Sequence, residues 1–464
     1  MSETEMKFCS NYFLVDAKKA GFLDLLLLLI TSDLAKIKFI DCPSETVLSQ
    51  GTFTARCIIA ITVFLQKVLI SMRKPFAVAG ERLTFWLNTV DINGGLFKLI
   101  LRVLTGKTVN RPDKSSAAYT SVIGSTDMRV ELDEKMSIGT DEYKAMLSIM
   151  ASKIAYESEA FITSVVKEKW KMDYLGFFEC YNAYQAGNLT QAFMFQLPTA
   201  NSNLVVVSFR GTEPFDVDDW CTDLDIDWYD VKVMGKVHGG FMKGLGLQIN
   251  GWPKEIVQAT HKYAYYTIRQ KLRGLFEDDK ASKFIVTGHS LGGALAALFP
   301  AILALHDEDE LLKRLDGVYT FGQPRVGDET FEEFMKDVIQ KHDFKYARFV
   351  YSNDIVPRVP FDDKKLFGFK HIGPCIYFNS LYKEQSIFQI LEDAPNKNYF
   401  NVLRYIPMML NAAWELTRSF IIQFWKGKDY KENWFMRLAR VAGLIFPGIV
   451  NHFPPDYVNS TRLG

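Results

Sequence analysis

The stretch FIVTGHSLGGALAALF, residues 284–299, restricts the fold more than any other part of this 464-residue chain. An apolar run rich in Ile and Val stops at Gly288, one polar residue stands out at Ser290, and a small-residue, helix-like run follows. A serine on a sharp strand-to-helix turn is pushed above the sheet, and its neighbours must be tiny because backbone passes close to backbone. Gly288 and Gly292 meet that demand, with His289 inside the turn. The helix that follows aims its N-terminal amides at the point where negative charge would develop on a group attacked by the serine. Ser290 is therefore a candidate nucleophile.

The rest of the chain supplies a frame for such a turn. QAFMFQL, NLVVVSF, KFIVTG, LDGVYTF and KYARFVYS are short runs rich in Val, Phe, Ile and Tyr. Helix-like segments at 253–276 and 292–315 separate several of them. This alternation predicts an α/β domain with a mostly parallel central sheet over residues 136–464, with an insertion at about 380–445. Residues 141–170 lack Gly and Pro and read as one or two amphipathic helices. Residues 1–135 form an N-terminal, largely helical region.

A serine needs a base, and the base needs an acid to orient it. Asp354, in RFVYSNDIVPRVP, follows a strand-like run and is held between Asn353 and two prolines. Asp328, in QPRVGDE, competes, but Gly327 and the charges after it suggest an exposed helix start. His342, in IQKHDFKY, reads as a surface residue. His371 heads a run that suits an edge strand and a structural hydrogen bond, whereas His452 lies in a proline-braced loop near the end. The order serine, acid, histidine admits both, and the proline-braced loop favours His452, with His371 as the alternative.

Lys plus Arg and Asp plus Glu both number 54, which argues against a nucleic-acid partner. The six cysteines are scattered, as free thiols in a reducing compartment would be. The start, MSETEMKFCSNYFLVDAKK, is acidic and polar where a signal peptide would be basic and then apolar. FLDLLLLLI, residues 22–30, is too short to span a bilayer, and residues 56–74 fall short of about 20 continuous apolar residues. Two readings stand for them: core of the N-terminal region, or shallow association with a membrane. Residues 401–440 combine seven basic side chains, three acidic ones and several Trp and Phe, which suits a lipid boundary.

VVVSFRGTEPFDVDDWCTDLD (205–225), GKVHGGF (235–241), IVTGHSLGGALAAL, YTFGQPRVGD, YSNDIVPRVP and NHFPPDYVNSTRLG occur here in that order. This set resembles the class 3, or fungal-type, lipases of the α/β-hydrolase fold, and within them the plant oil-body lipases that act on triacylglycerol. The resemblance implies Ser290 as nucleophile, Asp354 as acid and His452 as base. It implies an oxyanion hole at the backbone amides of Thr212 and Leu291, and a lid at about 213–220. Arg210, Asp219, Trp220 and Asp223 read as residues holding that loop. The implied reaction is hydrolysis of acyl esters of tri-, di- or monoacylglycerol at a lipid-droplet or membrane surface, without metal or cofactor. The implied location is the droplet's cytosolic face, with the endoplasmic reticulum membrane as a second site. Phospholipid or galactolipid hydrolysis, and a catalytically silent scaffold, remain the alternatives. The chain departs from compact members in its long N-terminal region and in the 98 positions from 354 to 452. Both departures are expected to leave the catalytic blocks untouched.

Overall fold

Val205 and Val207 enter one apolar core, and Val206, between them, enters another. Successive side chains of a strand point to opposite faces, so a strand apolar at every position must be covered on both sides. The computed structural model describes residues 8–49, 51–199, 202–248, 251–256, 261–360, 366–384, 393–395 and 402–464. The described strands are β1 (Cys9–Val15), β2 (Ile40–Asp41), β3 (Asp173–Asn182), β4 (Gly187–Leu197), β5 (Leu204–Phe209), β6 (Trp228–Val231), β7 (Gly235–His238), β8 (Lys283–His289), β9 (Leu315–Phe321), β10 (Lys345–Tyr351) and β11 (Cys375–Phe378). Seven of them form a central sheet in the order β11-β10-β9-β8-β5-β4-β3. β5, β8, β9, β10 and β11 run parallel, and β4 and β3 continue the sheet antiparallel at one edge.

One face of this sheet is covered by the helix Leu291–Leu305 and the helix Ala264–Asp278. The other is covered by the helix Asp141–Ile154 and the C-terminal helix Pro454–Leu463. The five strand runs read from the sequence are β4, β5, β8, β9 and β10, and the mostly parallel α/β architecture is as expected. The helix expected over 253–276 begins only at Ala264. The Lys262 carbonyl accepts from the Tyr181 amide at 2.7 Å, which holds the chain before the helix extended along β3. Residues 257–260 lie outside the described residues.

The N-terminal region contributes strands as well as helices. β1 pairs antiparallel with β6, giving a second sheet in the order β2-β1-β6-β7. Its core joins Phe13, Leu28 and Ile59 to Trp228, Leu366 and Phe369 from the hydrolase region. The helix Phe53–Ile92, about 60 Å long, buries Ala55, Ile59, Ala60 and Val63 on one stripe. Its Arg56 guanidinium donates to the carbonyls of Leu28 and Leu29 at 3.3 and 3.0 Å, closing the end of the helix Phe22–Ile30. Among the described residues it is the one helix long and apolar enough to cross a membrane, though 39% of its most apolar window is buried against the protein.

The expected insertion forms two helices, Tyr405–Trp425 and Trp434–Gly443, and residues 385–392 and 396–401 within it lie outside the described residues. Trp434 meets Trp86 of the long helix edge-on, with ring centroids 5.4 Å apart. The two ends of the chain therefore share one side of the molecule.

Candidate active site

β8 stops at His289, and Ser290 turns the chain at φ 60° and ψ −131° into the helix Leu291–Leu305. Backbone in this region is strained for any residue but glycine, and such strain concentrates at functional sites. The turn also needs its flanking glycines: a Cβ on Gly288 would fall 2.1 Å from the Gly292 carbonyl carbon. The Ser290 amide donates to the Phe321 carbonyl at 2.9 Å, which ties the turn to the end of β9.

Three side chains from distant parts of the chain meet here. Ser290 Oγ lies 2.7 Å from His452 Nε2, and His452 Nδ1 lies 2.8 Å from Asp354 Oδ2. Asp354 follows β10, is fully buried, and accepts from the Val356 amide at 2.9 Å and the Tyr457 hydroxyl at 2.5 Å. A carboxylate held by such donors stays oriented toward its histidine. His452 ends the short turn Val450–His452, and Pro454 and Pro455 open the helix behind it, where proline's fixed φ suits the first turn.

His289 links the turn to His452. Its Nε2–H donates to the His452 carbonyl at 2.7 Å, which leaves Nδ1 to accept from the Tyr156 hydroxyl at 2.8 Å. Burial, with the His452 ring beside it, holds His289 well below the ordinary histidine range, so it is neutral. Thr212 and Leu291 sit on two segments packed together beside Ser290. A Cβ on Gly211 would fall 2.5 Å from the His289 carbonyl oxygen, and one on Gly292 would fall 2.3 Å from the Phe209 carbonyl oxygen.

Residues 206–364 match the family described as Lipase (class 3). The chain is 38% identical to triacylglycerol lipase OBL1 of Arabidopsis thaliana, over 98% of this chain and 95% of that protein. The chain belongs to the class 3 lipase family. Triacylglycerol lipase OBL1 of Ricinus communis is 35% identical, again over 98% of this chain and 95% of the relative. A native propeptide complex of Rhizomucor miehei lipase superposes with a TM-score of 0.41 at 22% identity, covering 57% of this chain and 78% of that one.

The other histidines and the rival acid of this lipase lie elsewhere. Asp328 caps the helix Glu329–His342 by accepting from the Phe331 amide at 3.1 Å, and it is half-buried, not exposed, because it also receives the Lys236 amide. His371 is buried and donates from Nε2 to the Pro357 carbonyl at 2.6 Å. His342, expected at the surface, has a buried ring 3.2 Å from Asp309 because it packs as the last residue of its helix.

Arg210, Asp219 and Trp220 make hydrogen bonds with residues of the loop at 213–220. Arg210 donates to Glu213 at 2.7 Å and lies 3.7 Å from Asp219, and Asp219 accepts from the Glu213 amide at 3.1 Å. Trp220 Nε1 donates to the Pro214 carbonyl at 3.0 Å. Asp223 ends the helix Val217–Asp223, and its side chain lies outside the described residues. The long N-terminal helix covers this loop. Arg73 pairs with Asp218, Phe76 faces the Phe215 ring at 6.2 Å, and Gly80 lies against the Phe215 side chain. Between them is a cavity of about 630 Å³ floored by Tyr156 and Glu157. Ser290 is only 4% exposed.

Sequence reasoning missed Tyr156, Tyr457 and Asn451. Tyr457 stands in the terminal block NHFPPDYV one turn beyond His452, and that spacing was the available signal. The expectation that both departures leave the catalytic blocks untouched is overturned, for the N-terminal region by its contacts with Phe215 and Asp218 and for the insertion at Asn451. The Asn451 side chain, next to His452, donates to Glu415 of the insertion at 2.5 Å.

Proposed function

We propose that this lipase hydrolyses the acyl ester bonds of triacylglycerol at the surface of a lipid phase, through an acyl group carried on Ser290. The observation that carries this reading is the continuous contact from Ser290 Oγ through His452 to Asp354 at 2.7 and 2.8 Å. His452 Nε2 takes the Ser290 proton as Oγ attacks the ester carbonyl carbon, and the Asp354 carboxylate stabilises the imidazolium. The amides of Thr212 and Leu291 receive the oxyanion, each such donor contributing about 3–4 kcal/mol. The carbon–oxygen bond to the glycerol unit then breaks, His452 returns its proton to the leaving oxygen, and diacylglycerol departs. Water attacks the acyl-enzyme with His452 as base again, which releases the fatty acid and restores Ser290.

Triacylglycerol is favoured over polar lipids because the near-full-length relatives carry triacylglycerol lipase as their name. The lipid surface is supported by where apolar side chains lie. The helix Leu96–Leu104 buries none of its residues, and Phe97 and Leu104 are each 78% exposed. Ile61, Phe64 and Val68 of the long helix, and Leu410, Phe424 and Trp425 of the insertion, are also exposed. Lys98, Arg102, Lys426 and Arg437 accompany them, as suits a surface where rings enter lipid and cations stay in water. On this reading the lipase works from the cytosolic face of a lipid droplet or of the endoplasmic reticulum membrane. The same long helix covers the 213–220 loop, so contact with lipid and access to Ser290 share one element.

The test is hydrolysis of emulsified triacylglycerol, phosphatidylcholine and galactolipid side by side. Triacylglycerol should be cleaved at least tenfold faster than either polar lipid. A faster rate on a polar lipid would move the substrate to that class and leave the acyl-transfer chemistry standing.

A further inference from the structure

His452 sits in no strand or long helix, so its placement has to come from what grips the turn on either side. On one side, the His452 carbonyl accepts from His289. On the other, the grip is a buried polar cluster supplied by the insertion. Asn451 Nδ2 donates to Glu415 Oε2 at 2.5 Å, and Glu415 Oε1 accepts from the Tyr351 hydroxyl at 3.1 Å and from Asn411 at 3.0 Å. Four positions after His452, Asp456 accepts from Arg418 at 3.0 Å, from Arg440 at 2.9 Å and from the Tyr382 hydroxyl at 2.7 Å. Arg440 is held in turn by both Glu432 oxygens at 2.7 Å. Asn451, Glu415, Arg418, Arg440 and Asp456 are all buried.

Buried charges of this kind are poor evidence for net stability, since hydrophobic residues of the same volume often do as well. What they supply is geometry, because the bonds from Asn451 to Glu415 and from Arg418 and Arg440 to Asp456 form together in this arrangement. Burial pushes the Glu415 carboxyl up, against the pull of Arg418 and Arg440, so the cluster retains this acid at a cost. The groups gripped at 451 and 456 bracket His452, and both lead to the helix Tyr405–Trp425.

We infer that the insertion is a brace for the base of the reaction, with Asn451 and Glu415 as positioning residues that hold His452 against Ser290. This rests on the reading of His452 as base. It gives the 98-position gap between Asp354 and His452 a task inside the site. The helix whose outer face carries Phe424 and Trp425 has, on its inner face, the carboxylate that holds the turn of the base.

The test compares the full-length wild type with Asn451→Ala, Glu415→Gln, Glu415→Leu and the pair Glu415→Leu with Asn451→Ala. A water-soluble short-chain ester removes any need for a lipid surface. A fluorophosphonate reports both the rate at which Ser290 is labelled and the fraction that labels at all. Asn451→Ala should lower kcat about tenfold with KM within twofold, and should slow labelling by the same factor while the labelled fraction stays near one. A loss that came only from misfolding would lower the fraction and leave the rate of the folded remainder unchanged. Glu415→Gln keeps an oxygen for Asn451 and should retain at least a third of kcat. Adding Asn451→Ala to Glu415→Leu should cost little more than either change alone.

Asn451→Ala with wild-type labelling rate and kcat overturns the inference, as does a loss confined to the labelled fraction. If Glu415→Leu fails to fold, Asn451→Ala still decides. Wild type that labels at a residue other than Ser290 would instead overturn the reading of the triad on which this rests.

Discussion

The Tyr457 hydroxyl donates to Oδ2 of Asp354 at 2.5 Å, the same oxygen that faces His452 Nδ1 at 2.8 Å. Tyr457 is buried, with its ring 5.7 Å from the His289 ring and 6.2 Å from that of Phe321, so removing the hydroxyl keeps the ring packing and takes away its bond to Asp354 and the 3.3 Å contact it accepts from the Tyr351 amide. A hydrogen bond to a charged group contributes about 1.5–3 kcal/mol. Tyr457→Phe should lower kcat on a soluble ester about tenfold with KM unchanged. Steady-state kinetics beside a melting curve checks this, and a kcat within twofold of wild type would mean Asp354 keeps its aim without the hydroxyl.

Gly322, at φ +59°, passes beneath the triad, and a Cβ there would fall 2.8 Å from His452 Cε1 and 3.0 Å from Asp354 Oδ2. Because backbone and triad both resist such a group, Gly322→Ala should cost activity far out of proportion to its effect on melting. The expected loss in kcat is on the order of a hundredfold, since small misplacements of reacting groups are that costly. Fluorophosphonate labelling at wild-type rate would contradict it.

Glu157 gives a prediction in pH. Burial pushes its carboxyl up to about 7, although the Ser121 amide and hydroxyl donate to it at 2.7 and 2.8 Å. In the unfolded chain this group titrates at its ordinary value of 4.5, so between about pH 4.5 and 7 the folded protein holds a proton that the unfolded one has released. Its contribution therefore turns against folding as pH rises through that window. Glu157→Gln should show a smaller fall in melting temperature between pH 5 and pH 8 than wild type. Parallel melting curves for the two proteins would refute the assignment.

Phe424 and Trp425, 84% and 60% exposed, offer the mildest change to the side proposed to meet lipid. Replacing both with Ser should release the lipase from floated lipid droplets into the soluble fraction. Hydrolysis of a short soluble ester should persist within about twofold, because neither residue reaches the triad. Full co-flotation of a well-folded variant would count against this side as the docking face.

What was legible in the sequence follows from what is local. β5, β8, β9 and β10 could be read because strands buried on both faces are continuous apolar runs. β3, with Asp173 and Glu179 in an edge position, carries no such run and went unread. The β1–β6 pairing joins residues more than 200 positions apart and leaves no local trace. Within the site, Ser290, Asp354 and His452 each stand at a feature of their own stretch: a glycine-flanked turn, a strand end and a proline-braced loop. Asn451 and Glu415 do not, because their value lies in a contact across 36 positions that neither stretch announces by itself.

The most direct measurement is to let the lipase react with an active-site fluorophosphonate, map the adduct by mass spectrometry, and follow triacylglycerol hydrolysis in wild type and Ser290→Ala together. The adduct should fall on Ser290 alone, and Ser290→Ala should be folded, unlabelled and without measurable lipolysis. An adduct on another residue, or lipolysis that survives in Ser290→Ala, would contradict acyl transfer through this serine.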